Sequence, residues 1–231
     1  MLAAGRAAGD FADPASDEAL RAEGRLVAGP WTWLRQVHGA GVVVAEHPGG
    51  CRGAEGDAAV TACPEAALAV RTADCAPLAL SSPEGVAGIV HAGWRGLMAG
   101  VVGGAVAAMR ELGAGTVAGA LGPCIRPHAY RFSPSDLGQV VARFGQRVGA
   151  VDASGWPALD LPAAIAAALE EVGAGLAADA GTCTHCSDLH WSWRARADKG
   201  RQVTLVWVPP TAGPPPAGPP PGPGATRDGR P

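Results

Sequence analysis

The sequence predicts one α/β domain built on a mixed β-sheet. Three observations carry that prediction. Short apolar runs bounded by Gly, Pro or Asp alternate with longer stretches of helical spacing. Several of those runs follow one another too closely for a crossover helix, so hairpins join them and the sheet is mixed. The chain has 231 residues, 48% of them hydrophobic and 17% charged, which suits one large domain or two small ones with a substantial core.

Taken in order, residues 1–25 show no defined pattern and read as a poorly defined N-terminal segment ahead of a domain at 26–208. Trp31-Thr32-Trp33-Leu34 is an apolar segment, and strand-like runs follow at 42–44, after Asp57, at 67–70, 78–80 and 86–90. Leu97, Val101, Ala105, Met109 and Leu112 recur on one helical face and predict a single helix starting five or six residues after His91. A strand is expected at 117–121. Leu137, Val141, Phe144 and Val148 then predict a helix behind Ser133 as cap, with Pro134 in the first turn. Leu161, Ile165, Leu169 and Val172 predict the next, capped by Asp160. A last strand is expected at 203–208. From Pro209 to the end Pro and Gly dominate with no large aliphatic residue, which predicts a disordered tail of polyproline character at 209–231. No internal repeat is visible.

Composition narrows the function. A net charge of −3 gives no pull toward nucleic acid or an anionic membrane, so neither is expected as a partner. No apolar run is long enough to span a bilayer, and the first residues lack a secretory pattern. The expected compartment is the cytoplasm, where Cys51, Cys63, Cys75, Cys124, Cys183 and Cys186 would be reduced, metal-bound or buried rather than bridged. The 34 glycines, 21 prolines and abundant alanine match the codon bias of a GC-rich genome, and only one lysine, Lys199, is present.

Three segments carry chemistry. His91-Ala92-Gly93-Trp94-Arg95-Gly96 follows a strand and precedes a helix; its glycines permit a sharp turn, and Arg95 offers a bidentate donor for phosphate or carboxylate. Arg71-Thr72-Ala73-Asp74-Cys75-Ala76-Pro77-Leu78 places Cys75 at a kink before a strand. Arg35-Gln36-Val37-His38-Gly39 places His38 before a turn. Each has a bland alternative: a solvent-facing histidine, an inert buried thiol, a satisfied structural histidine. Together His38, Cys75 and His91 supply two imidazoles and a thiolate, a good zinc set that leaves a fourth position open, as catalytic sites do. Asp74 could orient an imidazole or act as general base. Asp57 reads either as a turn residue or as a catalytic carboxylate. Cys183-Thr184-His185-Cys186, with His190, is a rival metal group, but a lone Cys-x-x-Cys without a second pair is weak evidence and no thioredoxin-like pattern surrounds it.

These segments, with Gly56-Asp57…Val60-Thr61, Gly122-Pro123…Ile125…Tyr130, Leu159-Asp160-Leu161 and Cys183-Thr184 in the same order and spacing, resemble the laccase-domain family. That family is also described as multicopper polyphenol oxidases and is assigned as purine nucleoside phosphorylases. The resemblance covers about residues 30–208. It implies a single α/β domain with mixed β-sheets flanked by helices, and zinc on His38, Cys75 and His91. It further implies phosphorolysis of adenosine, inosine, guanosine and methylthioadenosine, with adenosine deamination alongside. Two departures stand out. Arg131 follows Tyr130 where the family has Glu. The family's double-arginine run reads here Trp193-Arg194-Ala195-Arg196-Ala197-Asp198-Lys199-Gly200-Arg201.

Between mechanisms, copper is disfavoured by histidine supply. Four coppers need many imidazoles, largely as His-x-His pairs, and the chain has six histidines and no such pair. Phosphorolysis needs an anion site, which Arg95 and the Gly-rich turn would supply. Deamination needs a water activated at the metal and a carboxylate, Asp57 or Asp74, to move its proton. A metal-free Cys-His hydrolase with Cys75 as nucleophile, and a non-enzymatic zinc-binding module, are the readings from other classes. Purine nucleosides and phosphate are the expected partners, and a homo-oligomer is left open.

Overall fold

Residues 1–209 are described by a computed structural model. In chain order the elements are β1 (Leu2–Ala4), α1 (Asp17–Leu26), β2 (Trp31–Trp33), β3 (Val42–Val44), β4 (Ala58–Thr61), β5 (Ala67–Thr72), β6 (Ala76–Ser81) and β7 (Ala87–Ala92). There follow α2 (Trp94–Met98), α3 (Val101–Glu111), β8 (Ala118–Leu121), α4 (Pro134–Phe144), β9 (Gly149–Val151) and β10 (Pro157–Leu159). The chain continues through α5 (Leu161–Glu171), β11 (Gly175–Asp179), α6 (Trp193–Arg196) and β12 (Gln202–Trp207).

Two sheets form the body. One is six-stranded in the order β11-β8-β6-β7-β4-β3, the other four-stranded in the order β1-β12-β5-β2. Both are mixed: β3/β4, β8/β11 and β2/β5 pair parallel, and the remaining neighbours antiparallel. Alternation along β4, β6 and β7 divides their side chains between two layers. Ala59, Ala79 and Ile89 face the other sheet and meet Leu68, Val70 and Val206 there. Val60, Leu78, Leu80 and Val90 face the opposite way and pack under Leu97, Val102, Val106, Met109, Ile165 and Leu169 of α2, α3 and α5. This is the expected α/β architecture.

The predicted caps are in place. Ser133 Oγ accepts from Asp136 N at 3.0 Å and Asp160 Oδ1 from Ala163 N at 3.0 Å, each satisfying a helix-start amide. The single helix expected from Leu97 is two. It begins earlier, at Trp94, and breaks at Gly100, whose φ of +89° only glycine adopts without strain. The apolar spacing runs through the break because both pieces face the same sheet. The N-terminal segment, which showed no pattern, contains β1 and α1. β1 pairs with β12, and Phe11, Ala19 and Ala22 pack on Trp31, Ala69 and Leu205, covering the outer face of the four-stranded sheet. Short β9 and β10 form a separate hairpin, and β11 is a mostly exposed edge strand. The tail expected at 209–231 lies, beyond Pro209, outside the described residues. Among the described residues no helix is long and apolar enough to cross a membrane.

Candidate metal centre

One carboxylate builds most of this site. Asp57, fully buried just before β4, accepts three successive backbone amides from the turn at 37–39: Val37 N at 3.1 Å, His38 N at 3.0 Å and Gly39 N at 2.7 Å. Such a nest of amides around an anion holds His38 at a left-handed φ of 60°. The same carboxylate takes a 2.7 Å hydrogen bond from His91 Nδ1. His91 lies within β7 rather than after it, two residues beyond Ile89 and so on the face toward the other sheet. With Nδ1 engaged, Nε2 is the atom left for a ligand. Cys75 sits between β5 and β6, positioned by Asp74 at φ 90°.

The three expected ligands converge. Cys75 Sγ lies 3.8 Å from His38 Nε2, the two imidazole centroids are 4.7 Å apart at 75°, and the donor atoms of His38, Cys75 and His91 all fall within 4.8 Å of one another. Gly93 keeps the space around them open. A Cβ there would stand 3.1 Å from His38 Cδ2 and 3.2 Å from Cys75 Sγ. Two imidazoles and a thiolate, with one imidazole held by a buried carboxylate, fit a metal ion with a free coordination position.

Electrostatics agree with that arrangement. Burial by itself would raise the Cys75 thiol, but the facing His91 and His38 more than offset it and bring it down to about 6. Burial would lower His91, but Cys75 and Asp57 raise it to about 9. Burial likewise opposes ionisation of Asp57, yet the His91 hydrogen bond and the amide nest hold it below its ordinary value. The metal-free pair is thus a thiolate beside an imidazolium.

The centre opens into a cleft of 680 Å³. Arg71, Arg95, Arg194, Lys199 and Arg201 all line it, against Asp74 as the one acidic lining residue. None of these five cations is in an ion pair among the described residues, whereas Arg126, Arg143 and Arg147 elsewhere are each paired with a carboxylate. Arg71 and Arg201 are tied to backbone carbonyls of Ala12, Leu34, Lys199 and Gly200. Arg95 stacks 4.5 Å over Trp94 and is exposed. Trp94 and Tyr130 form an aromatic wall backed by Phe132, with centroids 5.3 Å apart in both pairs. The Thr72 hydroxyl, buried in the lining, has no hydrogen-bond partner among the described residues.

Sequence-expected residues are therefore distributed as follows. His38, Cys75 and His91 meet; Arg95 and Asp74 line the cleft; Asp57 stands behind His91 and does not line it. The imidazole-orienting carboxylate is Asp57, not Asp74. Asp74 accepts from Thr184 Oγ1 and from Arg194 N, each at 2.7 Å, and fixes the loop that carries Cys75. Two residues named in the motifs without a role gain one here: the Gln36 amide pairs with both backbone atoms of Arg71 at 2.8 and 2.9 Å, and Thr184 donates to Asp74. Arg194, Lys199 and Arg201 were visible only as a departure from a family motif; their basic run beside Trp193 was the available signal.

Comparison with known proteins bears on this geometry. The family model described as multi-copper polyphenol oxidoreductase laccase matches residues 4–209. The chain belongs to that family. Among curated relatives of this laccase-type protein, a Streptomyces coelicolor protein named purine nucleoside phosphorylase is 40% identical over 180 residues, covering 76% of this chain and 74% of that one. A Mycobacterium tuberculosis protein of the same name is 35% identical over 180 residues, covering 76% and 71%. Among solved structures, Neisseria meningitidis protein NMB0706 superposes with a TM-score of 0.73 at 26% identity, covering 84% and 83% of the two chains. YlmD from Geobacillus stearothermophilus gives 0.71 at 24% identity over 83% and 80%, a likeness of fold. The resemblance seen in the motifs is thus a family membership.

Proposed function

We propose that the chain is a zinc-dependent purine nucleoside phosphorylase, converting nucleoside and phosphate to free base and pentose 1-phosphate, with adenosine deamination at the same centre. The observation that carries the reading is that a His–Cys–His donor set shares one cleft with five cations that have no ion-pair partner among the described residues. The names of relatives at 35–40% identity agree with it. Zinc held by His38, Cys75 and His91 would supply Lewis acidity and one open coordination position. The donor set suits zinc, and the shortage of histidines argues against a set of four coppers.

In this reading the chain's residues divide the work. Arg95, Lys199 and Arg194 hold phosphate so that one of its oxygens faces the anomeric carbon. That oxygen–carbon bond forms as the glycosidic bond breaks, and the bonding pair leaves with the base, which takes up a proton. Trp94 and Tyr130 flank the base; burial raises the Tyr130 phenol, which stays protonated and able to donate. Asp57 and Asp74 act as positioning residues for His91 and for the Cys75 loop. Adenosine, inosine, guanosine and methylthioadenosine are the proposed substrates, in the cytoplasm.

The test is phosphate-dependent release of base from a nucleoside panel by protein purified without chelator, with zinc counted per chain, for wild type and His91→Ala. Turnover that requires phosphate and is lost with zinc in the variant supports the proposal. Metal-free protein covalently labelled at Cys75 by a substrate analogue would instead establish the hydrolase. Bound zinc without turnover of any nucleoside would leave a binding module.

A further inference from the structure

The Cys-x-x-Cys segment acquires a third partner in the fold. His128, on the tight turn at Pro127–Ala129, brings Nε2 to 3.3 Å from Cys186 Sγ, and the donor atoms of His128, Cys183 and Cys186 lie within 4.8 Å of one another. His190, the partner considered from the sequence, is elsewhere: its Nδ1 bonds to Ser187 Oγ at 2.9 Å. His185 Nδ1 lies 3.9 Å from Cys186 Sγ. Donors bound to one tetrahedral zinc, at about 2.3 Å for sulfur and about 2.0–2.1 Å for nitrogen, stand about 3.6 Å apart. Both Cys186 contacts bracket that spacing. All six cysteines are free thiols, so no bridge competes in this fold.

We propose that His128, Cys183 and Cys186 form a second cation site, selective for zinc-like borderline-soft ions and distinct from the centre on Cys75. Its fourth position goes to His185 or to solvent, since His128, His185 and Cys186 line an open cleft of 460 Å³, which shares only Arg194 with the first cleft. The ion is a staple rather than a reagent. Cys183 is joined to the segment before His128 by backbone bonds, Cys124 N to Thr182 O at 3.2 Å and Thr184 N to Cys124 O at 3.1 Å. Thr184, between the two cysteines, holds Asp74, and Tyr130 follows His128 by two residues. Binding an ion here clamps together two walls of the nucleoside cleft without entering it.

The experiment uses full-length Cys75→Ser protein, which removes the first centre, titrated with cobalt(II) under reducing conditions. The proposal expects one cobalt per chain with thiolate-to-cobalt charge-transfer absorption and a raised Tm. Both effects should vanish in the chain also carrying Cys183→Ser and Cys186→Ser. His128→Ala in the Cys75→Ser background, which leaves both thiols in place, should weaken cobalt binding by more than about tenfold. Absence of thiolate–cobalt absorption in Cys75→Ser would overturn the proposal, as would its survival in the triple variant or an unchanged affinity in His128→Ala. Because the first centre is already disabled, none of these results depends on whether the chain turns over nucleosides.

Discussion

Asp57 Oδ1 accepts both from His91 Nδ1 at 2.7 Å and from His38 N at 3.0 Å. One carboxylate thereby sets the orientation of one imidazole of the candidate centre and the backbone of the other. Asp57→Asn keeps the shape but replaces one acceptor oxygen by a donor, which faces amides that can only donate. Metal affinity should fall about 10–100-fold, as for loss of a carboxylate behind a ligating histidine. Competition with a chromophoric chelator measures it, and an unchanged affinity would remove Asp57 from the centre.

Metal loading should release protons in a pH-dependent way. With Cys75 at about 6 and His91 at about 9, the metal-free pair at about pH 7.5 holds one proton, on the imidazole. Zinc must displace it. Calorimetry in buffers of different ionisation enthalpy should show about one proton released from this pair near pH 7.5. The count should rise as pH falls through the Cys75 value and fall toward none as pH rises through the His91 value. In unfolded chain at that pH the pair also holds one proton, on the thiol. The two shifts therefore oppose each other: His91 loses stabilising effect from 6.5 to about 9 while Cys75 gains it from about 6 to 9.0. Metal-free stability should be nearly flat with pH across their overlap, as followed by urea unfolding.

Gly93→Ala separates folding from binding. The backbone there, φ −81° and ψ 159°, suits any residue, so the metal-free protein should still fold, with up to about 1 kcal/mol of backbone gain set against an overpacking cost of about 1–3 kcal/mol as His38 and Cys75 give way. The new methyl presses on His38 and Cys75, so metal affinity and turnover should drop. Wild-type affinity in a stable variant would show that the open space at Gly93 is not needed.

Arg95→Ala and Lys199→Ala remove cations that have no ion-pair partner among the described residues. Each should raise the KM for phosphate about tenfold, the worth of one charge-assisted hydrogen bond, with little change in the KM for nucleoside. Initial-rate kinetics with both substrates varied distinguish this from a general loss of activity.

Thr184→Val replaces a buried hydroxyl that donates to Asp74 and leaves that carboxylate short of a partner. It should cost about 1–3 kcal/mol in chemical denaturation, without altering the number of ions bound at Cys75.

The converging group His38, Cys75 and His91 was legible because each member lies in a short segment of unusual composition: His38 before Gly39, Cys75 between Asp74 and Pro77, His91 ahead of Gly93. Helix starts at Ser133 and Asp160 were legible because capping is local. The exchange of roles between Asp57 and Asp74 was not. Asp57 reaches His91 across 34 positions, and Thr184 reaches Asp74 across 110, so neither partnership leaves a mark in nearby sequence. The break at Gly100 was hidden because helical spacing continues through it. β1 was hidden for another reason: Leu2-Ala3-Ala4 has no alternation of its own, and becomes a strand only beside β12.

That last pairing bears on how the protein can be handled. A shortened gene starting near residue 26 would strip β1 and α1 from the sheet. The outer rim of β12 would then present unsatisfied amides and carbonyls beside bare apolar side chains, a template for neighbouring chains to add onto. Such a truncated product should precipitate on expression even though it keeps His38, Cys75 and His91.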